Sequence, residues 1–297
     1  MERISFYEQI EKNKRDSIFL VILVFIFLLA LFYVISLIFA PELSAIFIIF
    51  AFIIAISYIF ISYNYGDEIV LAATDAKPAN EREHAYLINT VEGLSIAAGI
   101  PKPKVYVIES DEMNAFATGK DPAHSSIAVT TALLKNLNRM ELEGVIGHEI
   151  SHIKNYDIRF ATLVAVLVGL VAIVSHMLLR SYRFGFRRER GERGAGLILI
   201  IGLILAIFAP IATRLVQAAI SRRREFLADA DAAKLTRYPE GLASALEKIM
   251  KMNMGKSMNV SEAVSHLFFV DPNRSPLDAL FATHPPIQER IRILRAM

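Results

Sequence analysis

The chain has 297 residues, 54% of them hydrophobic and only 21% charged, with a mean hydropathy of +0.43. That balance excludes an intrinsically disordered chain and runs high for a globule held wholly in water. The lack of cysteine removes disulfides, thiolate metal ligands and cysteine nucleophiles together, and 32 basic against 30 acidic residues leave no global field for holding nucleic acid.

The apolar excess is concentrated in segments. Ile18 to Ala40 and Leu43 to Tyr63 are nearly unbroken apolar runs, each close to the ~20 residues that cross a ~30 Å hydrocarbon core. Only Pro41 and Glu42 separate them, which predicts a helical hairpin. The first run is too long for a signal-peptide core and a second follows at once, so the pair reads as an uncleaved anchor. Arg3, Lys12, Lys14 and Arg15 precede the first run and the loop after it carries no base, which places the N-terminus in the cytoplasm. Phe160 to Leu179 and Gly196 to Thr213 are further candidates, bringing the expectation to as many as four transmembrane helices. The loop between them holds Arg180, Arg183, Arg187, Arg188, Arg190 and Arg193, and simple alternation would put it outside. Either the pair crosses against the positive-inside rule, or it dips into the membrane or rests on protein without crossing. The arginine groups border apolar segments, so anionic lipid head groups are a more economical partner than nucleic acid.

These segments divide the chain into residues 1–65, 66–159, 160–213 and 214–297. Within the second part, Asn80 to Ala98 has helical spacing and stops at Gly99. Lys104 to Glu109 alternates as a strand does, and Asn114 to Thr118 and Ser126 to Thr130 are strand candidates across a Gly119–Pro122 turn. Met140 to Tyr156 is helical again, and the last part is mostly helical between prolines. The fold class expected is mainly α, an α+β domain with a small mixed sheet anchored by two apolar helical hairpins.

The sharpest chemical signal is Gly147-His148-Glu149-Ile150-Ser151-His152, an HExxH inside a predicted helix. Residues four apart lie one above the other on a helix, so His148 and His152 present two imidazoles to one point, as Zn²⁺ requires. Glu149 sits about 100° round the helix, where it can take a proton from a metal-held water as general base. A catalytic zinc takes three protein ligands, and no third histidine follows at short spacing. Glu225 stands out as a distant carboxylate, with Asp229 one helical turn later to accept a proton from a ligand histidine. The plainer alternative is an exposed Glu225 paired with Arg222 to Arg224. His84, His124, His176 and His266 have no partner at ligand spacing and read as surface, interface or core residues.

The apolar hairpin, the HExxH, a further apolar pair and the Glu225–Asp229 spacing together resemble the HtpX-type membrane zinc metallopeptidases, relatives of the CAAX prenyl proteases and more remotely of thermolysin-like gluzincins. The resemblance includes Asn114 to Gly119, Glu141 to Asp157, Arg222 to Asp229, and Thr283-His284-Pro285-Pro286 with Arg290 beyond. It implies a zincin-like fold, one zinc per chain on His148, His152 and Glu225, and Glu149 as the catalytic glutamate. It also implies that Asn114 and Ala115 hold a substrate backbone by strand addition. His284 is either a donor to the developing oxyanion or a structural residue before two prolines. The activity implied is an endopeptidase of the cell membrane, with its site on the cytoplasmic face, acting on misfolded or damaged membrane proteins. A prenyl-peptide processing enzyme and a non-catalytic membrane scaffold or transporter are the alternatives.

Overall fold

The computed structural model describes residues 6–39, 41–169, 222–253, 262–270 and 285–297. It opens with two long helices, α1 (Phe6–Phe39) and α2 (Ser44–Ala73), joined by a single 3-10 turn at Pro41–Leu43. The apolar hairpin is therefore present, and both helices outrun their apolar runs into polar sequence. Among the described residues one helix, Ala45–Ala73, is long and apolar enough to cross a membrane, and only 17% of its most apolar stretch is buried. Ile49, Phe50, Phe52 and Phe60 lie more than 45% exposed along it, which a helix in the core of a water-soluble domain would not allow.

The hairpin is built into the rest of the molecule. A helix at residues 157–169 (α6) packs Phe160, Val164 and Leu167 against Leu20 and Val24 of α1 and Ala55 of α2. The end of α2 then enters a second cluster, where Val70 and Leu71 meet Ile108, Phe116, Ala128 and Phe268. Helix α2 thus runs unbroken through the junction between residues 65 and 66, and α6 runs through that between 159 and 160. The rest of the second candidate pair, with its arginine-rich loop, lies outside the described residues.

A small mixed sheet follows, with β1 (Lys77–Pro78), β2 (Lys104–Ile108), β3 (Ala115–Asp121) and β4 (His124–Thr130) in the order β1-β2-β4-β3. Strands β2 and β4 are parallel, while β1 and β3 are antiparallel to their neighbours, so β3 is an edge. The strands run longer than their sequence candidates because the turn sits later than predicted. Gly119 and Asp121 belong to β3 across a bulge, and the chain reverses at Pro122–Ala123. Gly119 has φ +140, and a Cβ there would stand 2.3 Å from His124 O, so only glycine allows this bulge.

Helix α3 (Ala85–Ala98) ends at Gly99, which is left-handed at φ +70. It starts later than Asn80 because the Asn80 carboxamide accepts from the backbone N–H of Arg82 and Glu83, a local turn that competes with helix. A short α4 (Thr131–Asn136) leads to α5 (Arg139–Lys154), whose N-terminus is set by a reciprocal capping box between Asn138 and Glu141. Helix α5 is central, touching α3, β3, α7 (Arg222–Thr236) and α8 (Pro239–Met252). Its close approach to α8 needs Gly144, where a Cβ would come within 2.7 Å of Leu242 N. Two short helices, α9 (Glu262–Ser265) and α10 (Ile287–Leu294), complete the described chain.

Candidate metal centre

The site grows from the face of α5 that the core leaves free. Leu142, Val145, Ile146, Ile150 and Ile153 fill the hydrophobic core, which turns His148, Glu149 and His152 toward α7 and an open cleft. Glu225 on α7 faces them. His148 Nε2 and His152 Nε2 lie 3.1 Å apart, and Glu225 oxygens lie 3.6 Å from the first and 3.5 Å from the second. Ligand atoms ~2.0–2.1 Å from a tetrahedral zinc stand roughly 3.3–3.4 Å from one another. One ligand atom from each residue falls within a 4.8 Å group, among the described residues the only such metal-competent cluster.

The ring orientations fit a cation as well as the spacing does. His148 Nδ1 is 2.9 Å from Asp229 Oδ1, and His152 Nδ1 is 2.9 Å from Asp157 Oδ2. Each Nδ1 therefore donates its proton to a carboxylate, and each Nε2 faces the common centre, where the neutral ring offers a lone pair. The expected Asp229–histidine contact is thus seen, and it is made to His148. Asp157, named in sequence only as the end of a motif block, has the equivalent place behind His152.

Charge sharpens the reading. Glu149, Glu225, Asp229 and Asp157 are buried carboxylates facing two buried guanidiniums, Arg224 and Arg290. Burial would lower the His152 pKa, but the Asp157 hydrogen bond and the charges of Glu225, Asp157 and Glu149 prevail and raise it to about 9. Burial pushes the Glu149 carboxyl upward, with the histidines opposing it. Burial also opposes ionisation of Asp229, yet the Arg290 charge and hydrogen bonds from His148 and Arg290 hold it down at about 2. The surplus negative charge that draws a proton to His152 is what a divalent cation would neutralise.

Arg290, fully buried on α10, reaches Asp229 through Nη2 at 2.6 Å and Nε at 2.8 Å, and stands 3.5 Å from Glu225. Its guanidinium also lies 4.8 Å from the Phe269 ring, whose other neighbour is His148 at 4.9 Å. Phe269 belongs to a segment, residues 266–270, that closes one side of the cleft. This segment docks on the β3 edge: Phe269 N–H donates to Ala115 O at 2.8 Å, Asn114 Nδ2 donates to Val270 O at 2.6 Å, and Val270 N–H donates to Asn114 Oδ1 at 3.0 Å. Asn114 and Ala115 are both buried, and the strand residue that lines the cleft is Ala117. His266, read in sequence as a surface, interface or core residue, lines the cleft too, and its Nε2 donates to Ala161 O at 3.2 Å. His284 lies outside the described residues.

Residues 81–297 match peptidase family M48. The chain is 48% identical over its full length, and over 96% of the relative's, to a protease HtpX homolog of Dictyoglomus turgidum. The corresponding protein of Thermoanaerobacter pseudethanolicus is 45% identical, with 100% of this chain and 99% of that one covered. That of Streptococcus gordonii is 41% identical over 98% and 99%. In fold, the crystal structure of S. mikatae Ste24p is similar with a TM-score of 0.50 at 22% identity, covering 90% of this chain and 62% of that one. Full-length similarity to named proteases sets aside the scaffold and transporter reading, and it does not favour the prenyl-peptide alternative. The chain is a metalloprotease of peptidase family M48 and belongs with its HtpX members.

Proposed function

We propose that the chain is a membrane-bound zinc endopeptidase that cuts misfolded or damaged membrane proteins at the cytoplasmic face, with His148, His152 and Glu225 as metal ligands and Glu149 as general base. The observation that carries the reading is the tetrahedral spacing of the three donors beside a buried glutamate that lines the same cleft. A zinc ion held there would supply Lewis acidity toward the scissile carbonyl and toward the attacking water. Glu149 takes the proton of that water and delivers it to the leaving amine, a task its upward-shifted carboxyl suits. Asp229 and Asp157 hold the Nδ1 protons of the two imidazoles and aim their Nε2 atoms inward. Substrate lies extended along the β3 edge and meets Ala117, and it reaches Asn114 and Ala115 where the Phe269–Val270 segment yields its hydrogen bonds.

The membrane assignment rests on the exposed apolar hairpin and on its distance from the site. Asn13 touches the metal centre's support, and the first apolar run begins five residues later at Ile18, about 7.5 Å of helix rise. The cleft therefore opens near the membrane surface, which suits substrates that emerge from it. The basic N-terminus makes that surface the cytoplasmic one, and lipid is a partner of the fold. The anchor has up to four spans, the second pair either crossing or dipping into the membrane. The test is cleavage of an unfolded membrane protein by the detergent-solubilised chain. Wild type is expected to cut and to lose activity with a chelator, regaining it with zinc, while Glu149→Gln does not cut. Equal cleavage by Glu149→Gln would overturn the assignment.

A further inference from the structure

A membrane anchor needs apolar surface, and a buried carboxamide in its helix costs free energy unless every polar atom is engaged. Asn13 of α1 is 1% exposed, and its carboxamide is engaged at both ends. Nδ2 donates to Asp157 Oδ1 at 2.6 Å and to Asn155 O at 2.9 Å, and Oδ1 accepts from Arg224 Nη1 at 3.3 Å. Asp157 therefore spends one oxygen on Asn13 and the other on His152 Nδ1. Arg224 immediately precedes Glu225 on α7. A single side chain at the foot of the membrane helix thus ties the carboxylate behind His152 to the residue that precedes Glu225.

The local backbone explains why an outside brace is useful. Helix α5 ends at Lys154, and the chain turns through Asn155 and Tyr156 before α6 begins at residue 157. Tyr156 is left-handed at φ +59, a conformation that strains a non-glycine residue. The turn is what brings Asp157 back under His152. It is pinned from α1 by Asn13 at the Asn155 carbonyl and by Lys14 Nζ, 4.3 Å from the Tyr156 ring. An amide supplies two donors, for the carboxylate and the Asn155 carbonyl, and an acceptor for the guanidinium from one position, whereas a hydroxyl has a single donor. Leucine would remove both, and aspartate would face Asp157 with a like charge.

We propose that Asn13 is a positioning residue for the metal site, so that the helix anchoring the chain in the membrane also sets the orientation of His152 through Asp157. The proposal rests on the reading of His152 as a ligand. It makes the anchor part of the catalytic architecture: a change in how α1 sits at the membrane surface reaches the metal through two hydrogen bonds.

The test uses the full chain in lipid nanodiscs, comparing wild type with Asn13→Leu, Asp157→Asn, the double variant and His152→Ala. The zinc Kd is measured by chelator competition, and the visible absorption of the cobalt-substituted protein reports ligand geometry. Carboxylates behind metal histidines are worth about 10–100-fold in affinity. Asn13→Leu, one contact further out, is expected to weaken zinc about 3–10-fold and to change the cobalt spectrum. In the double variant it is expected to add nothing to Asp157→Asn. Wild-type affinity and spectrum in Asn13→Leu, or losses that simply multiply in the double variant, would overturn the proposal. Should Asn13→Leu lower thermal stability, the zinc-induced rise in Tm is compared in Asn13→Ser and wild type; equal rises count against it. Undiminished zinc binding by His152→Ala would instead remove the ligand reading beneath it.

Discussion

His148 and His152 stand one turn apart on the same helix, yet opposite ends of the chain support them. Behind His148 are Asp229 and Arg290, both 1% exposed and both from the C-terminal helices. Behind His152 are Asp157 and Asn13, from the turn after α5 and from the membrane helix, and the His152 side chain is 16% exposed to the cleft. One side is a closed, charge-balanced core; the other is an open joint with the anchor. Equivalent chemistry at the two imidazoles therefore has different costs when disturbed: stability on the first side, geometry on the second.

The largest effect expected is between the two. Glu149→Gln removes the base and touches neither support, so kcat/KM on an unfolded substrate should fall by about 10²–10⁴, while zinc content by mass spectrometry stays at the wild-type level. On the closed side, Arg290→Met leaves Asp229 and Glu225 without their counter-charge. Breaking a buried pair in this way costs about 3–5 kcal/mol, read as a lower midpoint in denaturant unfolding. The double variant Asp229→Asn with Arg290→Met should recover part of that loss, because no carboxylate is then stranded at Asp229.

Smaller effects sharpen the contrast. On the open side, Asp157→Asn should weaken zinc about 10–100-fold with a smaller loss of stability than Arg290→Met. Equal unfolding midpoints for these two variants would mean that both sides of the site carry the same share of stability. Away from both supports, Gly144→Val forces α5 off Leu242 and should cost about 1–3 kcal/mol by overpacking, visible in Tm with zinc stoichiometry unchanged. The smallest belongs to the surface pair Lys102–Glu92, 2.7 Å apart and about half exposed. Lys102→Ala should shift stability by less than about 1 kcal/mol.

What sequence reveals here follows the same division. The HExxH and the Glu225–Asp229 spacing are local patterns, and helical geometry alone places each pair on one face. The apolar hairpin, β2 and the core of α5 are equally local. The supports are not: Asn13 lies 144 residues from Asp157, and Arg290 lies 61 from Asp229. An asparagine five residues before an apolar run carries no signal of burial, and Arg290, named in sequence only at the end of a motif block, carries none of its pairing with Asp229. The extension of α2 past Tyr63 was hidden because Asn64, Asp67 and Glu68 break its apolar run, while Val70 and Leu71 resume packing one turn later. The edge at Asn114 and Ala115 read as open to substrate; its occupation by Phe269 and Val270 depends on a contact across 156 residues.

In the proposed centre one zinc ion is held by His148, His152 and Glu225. Zinc per chain, measured after purification and dialysis, is compared across wild type, Glu149→Gln and Glu225→Ala. One equivalent is expected in the first two and little or none in Glu225→Ala. A full equivalent retained by Glu225→Ala would require a different third ligand.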